Sequence, residues 1–244
     1  METAFKKVCR LAGEAIVKHD MIKSGSKILV GLSGGKDSFV LLRVLAFLRS
    51  KAPVDFELIG ATFDPGYPGI DTAAIEKWCR DCSCCYEVVA LDMASIIAEK
   101  NWENSPCVLC SRLRRGKLYG LAEQLKCDAL ALGQHLDDAI ASFFMSICRG
   151  QGISSMGANV ATDAAENLRV IRPLIYASEE LIELAAQESG YIPGGKCPYE
   201  EELKKSGDRE YFRRLTDRLA EKIPGVRSNI LHSFSIVEKE HLPF

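Results

Sequence analysis

The stretch ILVGLSGGKDSFVLL, residues 28–42, runs from apolar residues into two adjacent glycines, a lysine and an aspartate, and is apolar again from Phe39. A short β-branched run bounded by glycine reads as a buried strand, and the apolar pattern after it as a helix. The loop between them is built for an anion. Gly34 and Gly35 let the backbone approach closely and take dihedrals closed to other residues. The amides of Gly35 to Ser38 would point at phosphate oxygens at a helix N-terminus. Lys36 adds a mobile positive charge, and Ser33 and Ser38 add hydroxyl donors. The usual triphosphate loop, G-x-x-x-x-G-K-[ST], does not fit these residues. Asp37 would repel phosphate unless a divalent cation such as Mg bridges carboxylate and phosphate. The plainer alternative is a tight strand-to-helix turn with Asp37 as a favourable N-terminal charge. A plain turn needs neither two glycines nor the lysine.

Working outward, Phe5, Val8, Cys9, Ala12, Ile16 and Val17 recur at helical spacing. Strands are expected at residues 27–31, 55–63, 86–91, 128–133 and 168–172, and helices at about 38–50, 71–80, 109–125, 137–148 and 178–189. Asp71 and Ser178 are the expected caps. Residues 149–167 are rich in Gly, Ser and Ala and read as loop. Residues 198–240 read as helical, with a break near Pro224-Gly225. Alternating strands and helices imply an α/β fold: a parallel, Rossmann-like sheet with helices on both faces. The expected division is a domain of residues 1–195, including the N-terminal helix, and a helical extension of residues 196–244 packing on it. In such sheets ligands bind beyond the carboxyl ends of the strands. Three segments converge there: the Ser33–Ser38 loop, Phe63-Asp64 with its Pro/Gly loop, and Gly133-Gln134-His135-Leu136-Asp137-Asp138. A carboxylate of Asp137 or Asp138 there could hold a cation or ligand hydroxyl, or cap the helix; the cap explains one acid and not two.

The 244 residues suffice for one large α/β domain or one with a small appendage, and an apolar fraction of 47% supports a full core. No apolar stretch reaches the length of a membrane span, and residues 1–20 lack the apolar centre of a signal peptide, so a cytoplasmic protein is expected. A formal net charge of -2 does not announce a nucleic-acid binder, although net charge can hide local patches. Arg112, Arg114, Arg115 and Lys117 form one basic cluster with no acid among them. A second, Lys204 to Arg218, is interleaved with acids and reads as a solvated face. Ten cysteines in a reducing compartment point to metal binding or chemistry rather than disulfides. Cys107 and Cys110 are a C-x-x-C pair at a helix start, able to share one metal or cluster. The alternative is that they pack as small apolar residues. Cys9, Cys127 and Cys148 fall at apolar positions and read as core. Cys82-Ser83-Cys84-Cys85 reads as partly buried structural thiols, with a second metal site or sulfur relay as the other possibility.

Ser33-Gly34-Gly35-Lys36-Asp37-Ser38 resembles the pyrophosphate-binding loop of the PP-loop ATPases, which share the adenine nucleotide alpha hydrolase-like fold. That superfamily splits ATP between the α and β phosphates and adenylates a substrate oxygen. The stretch from Pro106 to Ser142, Ile171-Arg172-Pro173-Leu174, Ile192 to Cys197, Phe63-Asp64 and Tyr67-Pro68-Gly69 resemble the tRNA 2-thiocytidine synthetase branch along nearly the whole chain. The resemblance implies ATP-dependent thiolation of a cytidine in the anticodon loop of tRNA, with Mg and a [4Fe-4S] cluster as cofactors. It implies cluster ligands at Cys107, Cys110 and Cys197. It implies ATP contacts at Ser33, Gly34, Gly35, Lys36, Asp37, Ser38, Asp64, Gly133, His135 and Asp138, with catalytic roles for Lys36, Asp37 and Asp137 and magnesium on Asp37. Arg112, Arg114, Arg115 and Lys117 would meet the tRNA backbone. A sulfur donor such as a cysteine desulfurase, and a homodimer, are also implied. Three departures stand out. Pro193-Gly194-Gly195-Lys196-Cys197 replaces the family's Pro-Cys-x-x-Cys, Gln134 follows Gly133 where histidine is usual, and Ser142 stands for threonine. Rival readings are a sulfurtransferase for another tRNA base or a small molecule, a cluster-free PP-loop ligase or amidase-type enzyme, and a non-enzymatic metal-binding or redox-sensing domain.

Overall fold

A computed structural model describes residues 2–66, 69–99, 106–163, 167–195 and 208–236. It opens with helix α1 (Ala4–Lys18), whose Thr3 side chain accepts from Lys6 N. Strand β1 (Ser26–Gly31) and helix α2 (Lys36–Arg49) flank the Ser33–Ser38 loop as expected. Strand β2 (Phe56–Asp64) and helix α3 (Thr72–Asp81) follow, the latter capped by Asp71, whose carboxylate accepts from Ala74 N at 2.9 Å. Then come β3 (Cys85–Ala90), α4 (Met93–Glu99), α5 (Pro106–Gln124) and β4 (Ala129–Ala131). After α6 (Leu136–Cys148) come β5 (Asn159–Ala161), β6 (Arg169–Ile171) and α7 (Glu179–Glu188), capped by Ser178. Helices α8 (Asp208–Lys222) and α9 (Val226–Ser233) complete the described chain. Gly225, with φ 78°, makes the expected break between them.

The chain forms two compact units. One comprises Met1–His135 with Gly157–Glu201, and the other Leu136–Met156 with Glu202–Phe244. This differs from a simple division at residue 195. Helix α6 belongs with the C-terminal helices because its aromatic residues pack there: Phe143 lies edge-on to Phe234, and Phe144 stacks on Phe212.

In the first unit the strand order is β3-β2-β1-β4-β6-β5, parallel except for β5 beside β6. Strand β5 lies inside the segment expected to be loop. Leu29, Ile59, Ala61 and Leu130 turn toward α5, where they bury against Leu118 and Ala122. Side chains alternate across a sheet, so Ile28, Val30 and Gly60 face the other way, where Gly60 meets Cys79 of α3. Helix α2 covers β1 and β2 and packs against α1 and α7. The α/β sandwich expected from the sequence is therefore present. Fully buried Ile28, Leu29, Leu41, Leu42 and Leu45 each contribute about 1.5–3 kcal/mol by leaving water. Strand β1 sits where the order reverses, with β2 on one side and β4 on the other, and a switch point of this kind opens a crevice at the carboxyl edge. No helix among the described residues is long and apolar enough to cross a membrane.

Candidate functional site

The Ser33–Ser38 loop leaves β1 at that switch point. Gly35 is the N-cap of α2 with extended dihedrals, and no side chain caps the helix. The helix therefore presents the amides of its first turn without a capping oxygen, the arrangement that suits an anion. The loop is braced from within. Ser38, buried at the helix start, accepts from Ser33 N at 3.2 Å and donates to Gly35 O at 2.9 Å, and its hydroxyl lies 3.3 Å from that of Ser33. Gly34 has φ 84°, and a Cβ there would lie 2.7 Å from Gly194 O. Gly133, beyond β4, has no more room: a Cβ would lie 3.0 Å from Ser38 N.

Lys36 is held between two carboxylates, 3.2 Å from Asp37 and 2.9 Å from Glu179 at the start of α7. Burial alone would depress its pKa, but Asp37 and Glu179 together outweigh that and raise it. The lysine is thus charged throughout the neutral range. A strap after α7 closes the back of the loop. Tyr191 Oη donates to Gly34 O at 2.9 Å, Gly194 N donates to the same oxygen at 3.0 Å, and Asp71 N donates to Gly194 O at 2.9 Å. A Cβ on Gly194 would lie 2.7 Å from Ile75 and 3.0 Å from Trp78, both on α3, so the backbone there runs in close contact. Glu179, Tyr191 and Gly194 were not singled out from the sequence as partners of the loop. They reach it across more than 140 positions, and no local spacing signals such a contact.

Asp64 ends β2 and accepts from Gly66 N at 2.9 Å. Gln134, in the place of the usual histidine, accepts from Arg172 Nε at 2.5 Å. His135 is fully buried. Asp137 and Asp138 are buried in the second unit and joined to arginines: Asp137 accepts from Arg227 Nε at 2.6 Å and Asp138 from Arg213 Nη2 at 2.7 Å. Arg227 also pairs with Asp217.

Cys107 and Cys110 are both in α5, one helical turn apart. Cys110 is buried against Phe63, Met93 and Leu109, at the carboxyl end of β2 and so at the same sheet edge as the Ser33–Ser38 loop. The side chain of Cys107 and the whole of Cys197, as well as Tyr67 and Pro68, lie outside the described residues. Among the described residues no three His, Cys, Asp or Glu side chains gather as a metal site. Arg112, Arg114, Arg115 and Lys117 are all exposed on α5. Cys9 and Cys127 are buried as expected, whereas Cys148, read as core, is exposed at the end of α6.

A glycine-braced loop with a doubly paired lysine, at the switch point of this sheet, defines a PP-loop protein, and residues 5–192 match the PP-loop domain family. The chain is 37% identical over 239 residues to the tRNA-cytidine(32) 2-sulfurtransferase of Syntrophotalea carbinolica, covering 98% of this chain and 92% of that protein. It is 38% identical over 240 residues to that of Legionella pneumophila, covering 97% and 83%. The chain belongs to the tRNA-cytidine(32) 2-sulfurtransferase family. A similar solved structure is the U34-tRNA thiolase NcsA from Methanococcus maripaludis with its [4Fe-4S] cluster: TM-score 0.75, 25% identity, 95% of this chain and 78% of that one covered.

Proposed function

We propose that this chain is an ATP-dependent tRNA sulfurtransferase that replaces the oxygen at position 2 of cytidine 32 with sulfur, releasing AMP and pyrophosphate. Two steps meet the chemical demand. The C2 oxygen attacks the α-phosphorus of ATP and pyrophosphate leaves. Sulfide then attacks C2, and the former oxygen departs with AMP.

The residues suit those steps. The first-turn amides of α2 and the Gly34 backbone fit the pyrophosphate, since at Gly34 a Cβ would strike Gly194 and no side chain caps the helix; the Gly35 amide itself donates to Ser33 Oγ at 3.4 Å. Lys36 brings positive charge to the leaving group, where preformed charge acts most strongly. Glu179 and Asp37 keep Lys36 protonated and fix its direction. Asp37 is the carboxylate that would share a magnesium ion with the phosphates. Ser33, Asp64, Gly133 and His135 line the same strand ends. Asp137 and Asp138 are proposed to serve the second unit through their arginine pairs. Thiolates of Cys107, Cys110 and Cys197 would hold a [4Fe-4S] cluster, a fit supported by the apolar surroundings of Cys110. When bound, such a cluster with three protein ligands supplies an iron position open to sulfide. A cysteine desulfurase as donor, action as a homodimer and a cytoplasmic location complete the proposal.

The observation that carries this reading is whole-length kinship with sulfurtransferases of that name in a chain whose PP loop is intact. Its test is a modified-nucleoside profile of tRNA from a deletion strain. Loss of 2-thiocytidine, restored by the wild-type gene and not by Lys36→Ala, is the expected result. Unchanged 2-thiocytidine overturns it. The likeness to a U34-tRNA thiolase favours a second reading on uridine 34, and the same profile distinguishes it by the loss of a thiouridine instead.

A further inference from the structure

Cys79, Cys82, Cys84 and Cys85 lie around the end of α3 and take no part in the site above. Their meeting is dictated by how the helix stops. Ser83 takes a left-handed conformation, φ 50°; its amide donates to Arg80 O at 3.0 Å and the next amide, Cys84 N, to Cys79 O at 3.0 Å. That is the Schellman closure, in which the residue after the left-handed position folds back over the third from the helix end. An apolar contact commonly fills that place. Here two cysteines do: the Cys84 thiol folds back and donates to Cys79 O at 3.5 Å, which brings it over the turn that carries Cys79.

The surroundings make the two sulfurs unequal. Cys79 is fully buried, and Cys84 is only partly buried. The neighbouring Cys79 thiol lowers the Cys84 pKa; burial opposes this, while the Arg49 guanidinium and the Gly60 amide assist it. The closeness of Cys84 raises that of Cys79, with burial adding to it. Cys84 is therefore the thiol that ionises first and attacks, and Cys79 the one that holds its proton longer. Cys82 is set apart: it is buried, its pKa is pushed up to about 11 chiefly by desolvation, and Arg43 lies beside it. Cys85 is the exposed first residue of β3, and alternation along the strand turns it away from Cys84.

We propose that Cys79 and Cys84 are a redox-active pair that closes to an intramolecular disulfide on reaction with a low-molecular-weight disulfide such as oxidised glutathione. The Cys84 thiolate attacks one sulfur of the oxidant, forming a mixed disulfide and expelling one glutathione thiolate. Capping Cys84 removes the charge that held the proton on Cys79. Cys79 then loses that proton and attacks Cys84 Sγ, expelling the second glutathione thiolate. Two electrons pass from the cysteine pair to the oxidant, and the products are one protein disulfide and two equivalents of glutathione. Only four residues separate the partners, so loop closure stabilises the bridge little, and excess thiol reverses it. The pair stands apart from the cluster cysteines, and the inference is independent of which base is thiolated. It sits one residue beyond Trp78, against which the strap residue Gly194 packs.

The test uses the full-length protein, purified without oxygen and equilibrated in glutathione buffers from reducing to oxidising. It is quenched in acid, alkylated and digested with trypsin, which cuts after Lys77 and Arg80 and so separates the two sulfurs. The expected result is joint loss of alkylation at Cys79 and Cys84, with peptide 78–80 joined to peptide 81–100, reversed by reduced glutathione. The link disappears in Cys84→Ser and survives in Cys82→Ser and Cys85→Ser. Cys79 that stays alkylated at every ratio in the wild-type protein overturns the proposal. So does a glutathione adduct on Cys84 that never closes, or a link that persists in Cys84→Ser.

Discussion

Gly34 is the residue on which the loop turns, and its demands are quantitative. Its φ of 84° belongs to the left-handed region, where a side chain costs about 1–2 kcal/mol. Relief by movement is closed off, because the Gly194 carbonyl that a Cβ would meet at 2.7 Å is tied to Asp71 N and the Gly194 amide to Gly34 O. Gly34→Ala should therefore destabilise the protein by about 2–3 kcal/mol, lowering Tm by roughly 5–10 °C. It should also abolish ATP-dependent pyrophosphate release, which calorimetry and a phosphate assay measure separately. Lys36 makes a different prediction. Its pKa is raised in the folded protein, so its charge contributes stability present below the unfolded value near 10.4 and lost as pH rises through the folded one. Glu179→Gln removes one carboxylate and leaves the burial. The alkaline limb of pyrophosphate release should then move to lower pH, while the acid limb stays in place. An unmoved alkaline limb in a folded Glu179→Gln protein would show that Glu179 does not govern the charge on Lys36.

At the scale of elements, α6 poses the sharper question. Its first turn carries Asp137 and Asp138, and a helix N-terminus favours such acids. Yet both carboxylates are nearly buried and engaged with Arg227 and Arg213, which lie on α9 and α8. Removing one member of a buried ion pair leaves the other uncompensated and costs about 3–5 kcal/mol, whereas replacing both by apolar groups of similar volume costs far less. Arg227 keeps Asp217 when Asp137 is lost, so Asp137→Leu should lower Tm by less than that full cost, and Asp137→Leu with Arg227→Met should recover part of the loss in a double-mutant cycle. If Asp137 instead acts in catalysis, Asp137→Asn leaves Tm near wild type while thiolation is lost. The same contrast between local and distant explains what was legible beforehand. The Gly-Gly-Lys-Asp loop, the Asp71 and Ser178 caps and the break at Gly225 are written in neighbouring residues, and each appears where its chemistry requires. Strand β5 escaped notice because it is three residues long, mostly exposed and set in a Gly/Ser/Ala-rich segment, so it has no apolar alternation to read. Glu179 and Tyr191 escaped because their partners lie 143 and 157 positions away, and only the fold brings them to the loop.

For the molecule as a whole, the difficulty is charge. The substrate proposed above is a polyanion and the chain's formal net charge is -2, so such binding would come from a local patch rather than the overall field. Helix α5 supplies the best candidate, because Arg112, Arg114, Arg115 and Lys117 are exposed and follow Cys110 within two turns. The second basic group is partly committed within its own unit. Arg213 is bound to Asp138, and Arg214 is paired with Glu210. Each phosphate contact displaces counterions, so the slope of log K against log salt counts the contacts made. With the α5 residues on tRNA phosphates, Arg112→Ala combined with Arg115→Ala should flatten that slope by about 2. Arg214→Ala, which frees only an exposed intrahelical pair, should leave it unchanged. Fluorescence anisotropy with labelled tRNA over a series of salt concentrations makes the measurement. Weaker binding alone does not identify the patch, since any damage to the fold lowers affinity at every salt concentration. A slope that flattens for the α5 pair and holds for Arg214→Ala is specific to lost phosphate contacts, and the reverse pattern would move the tRNA surface to the C-terminal helices.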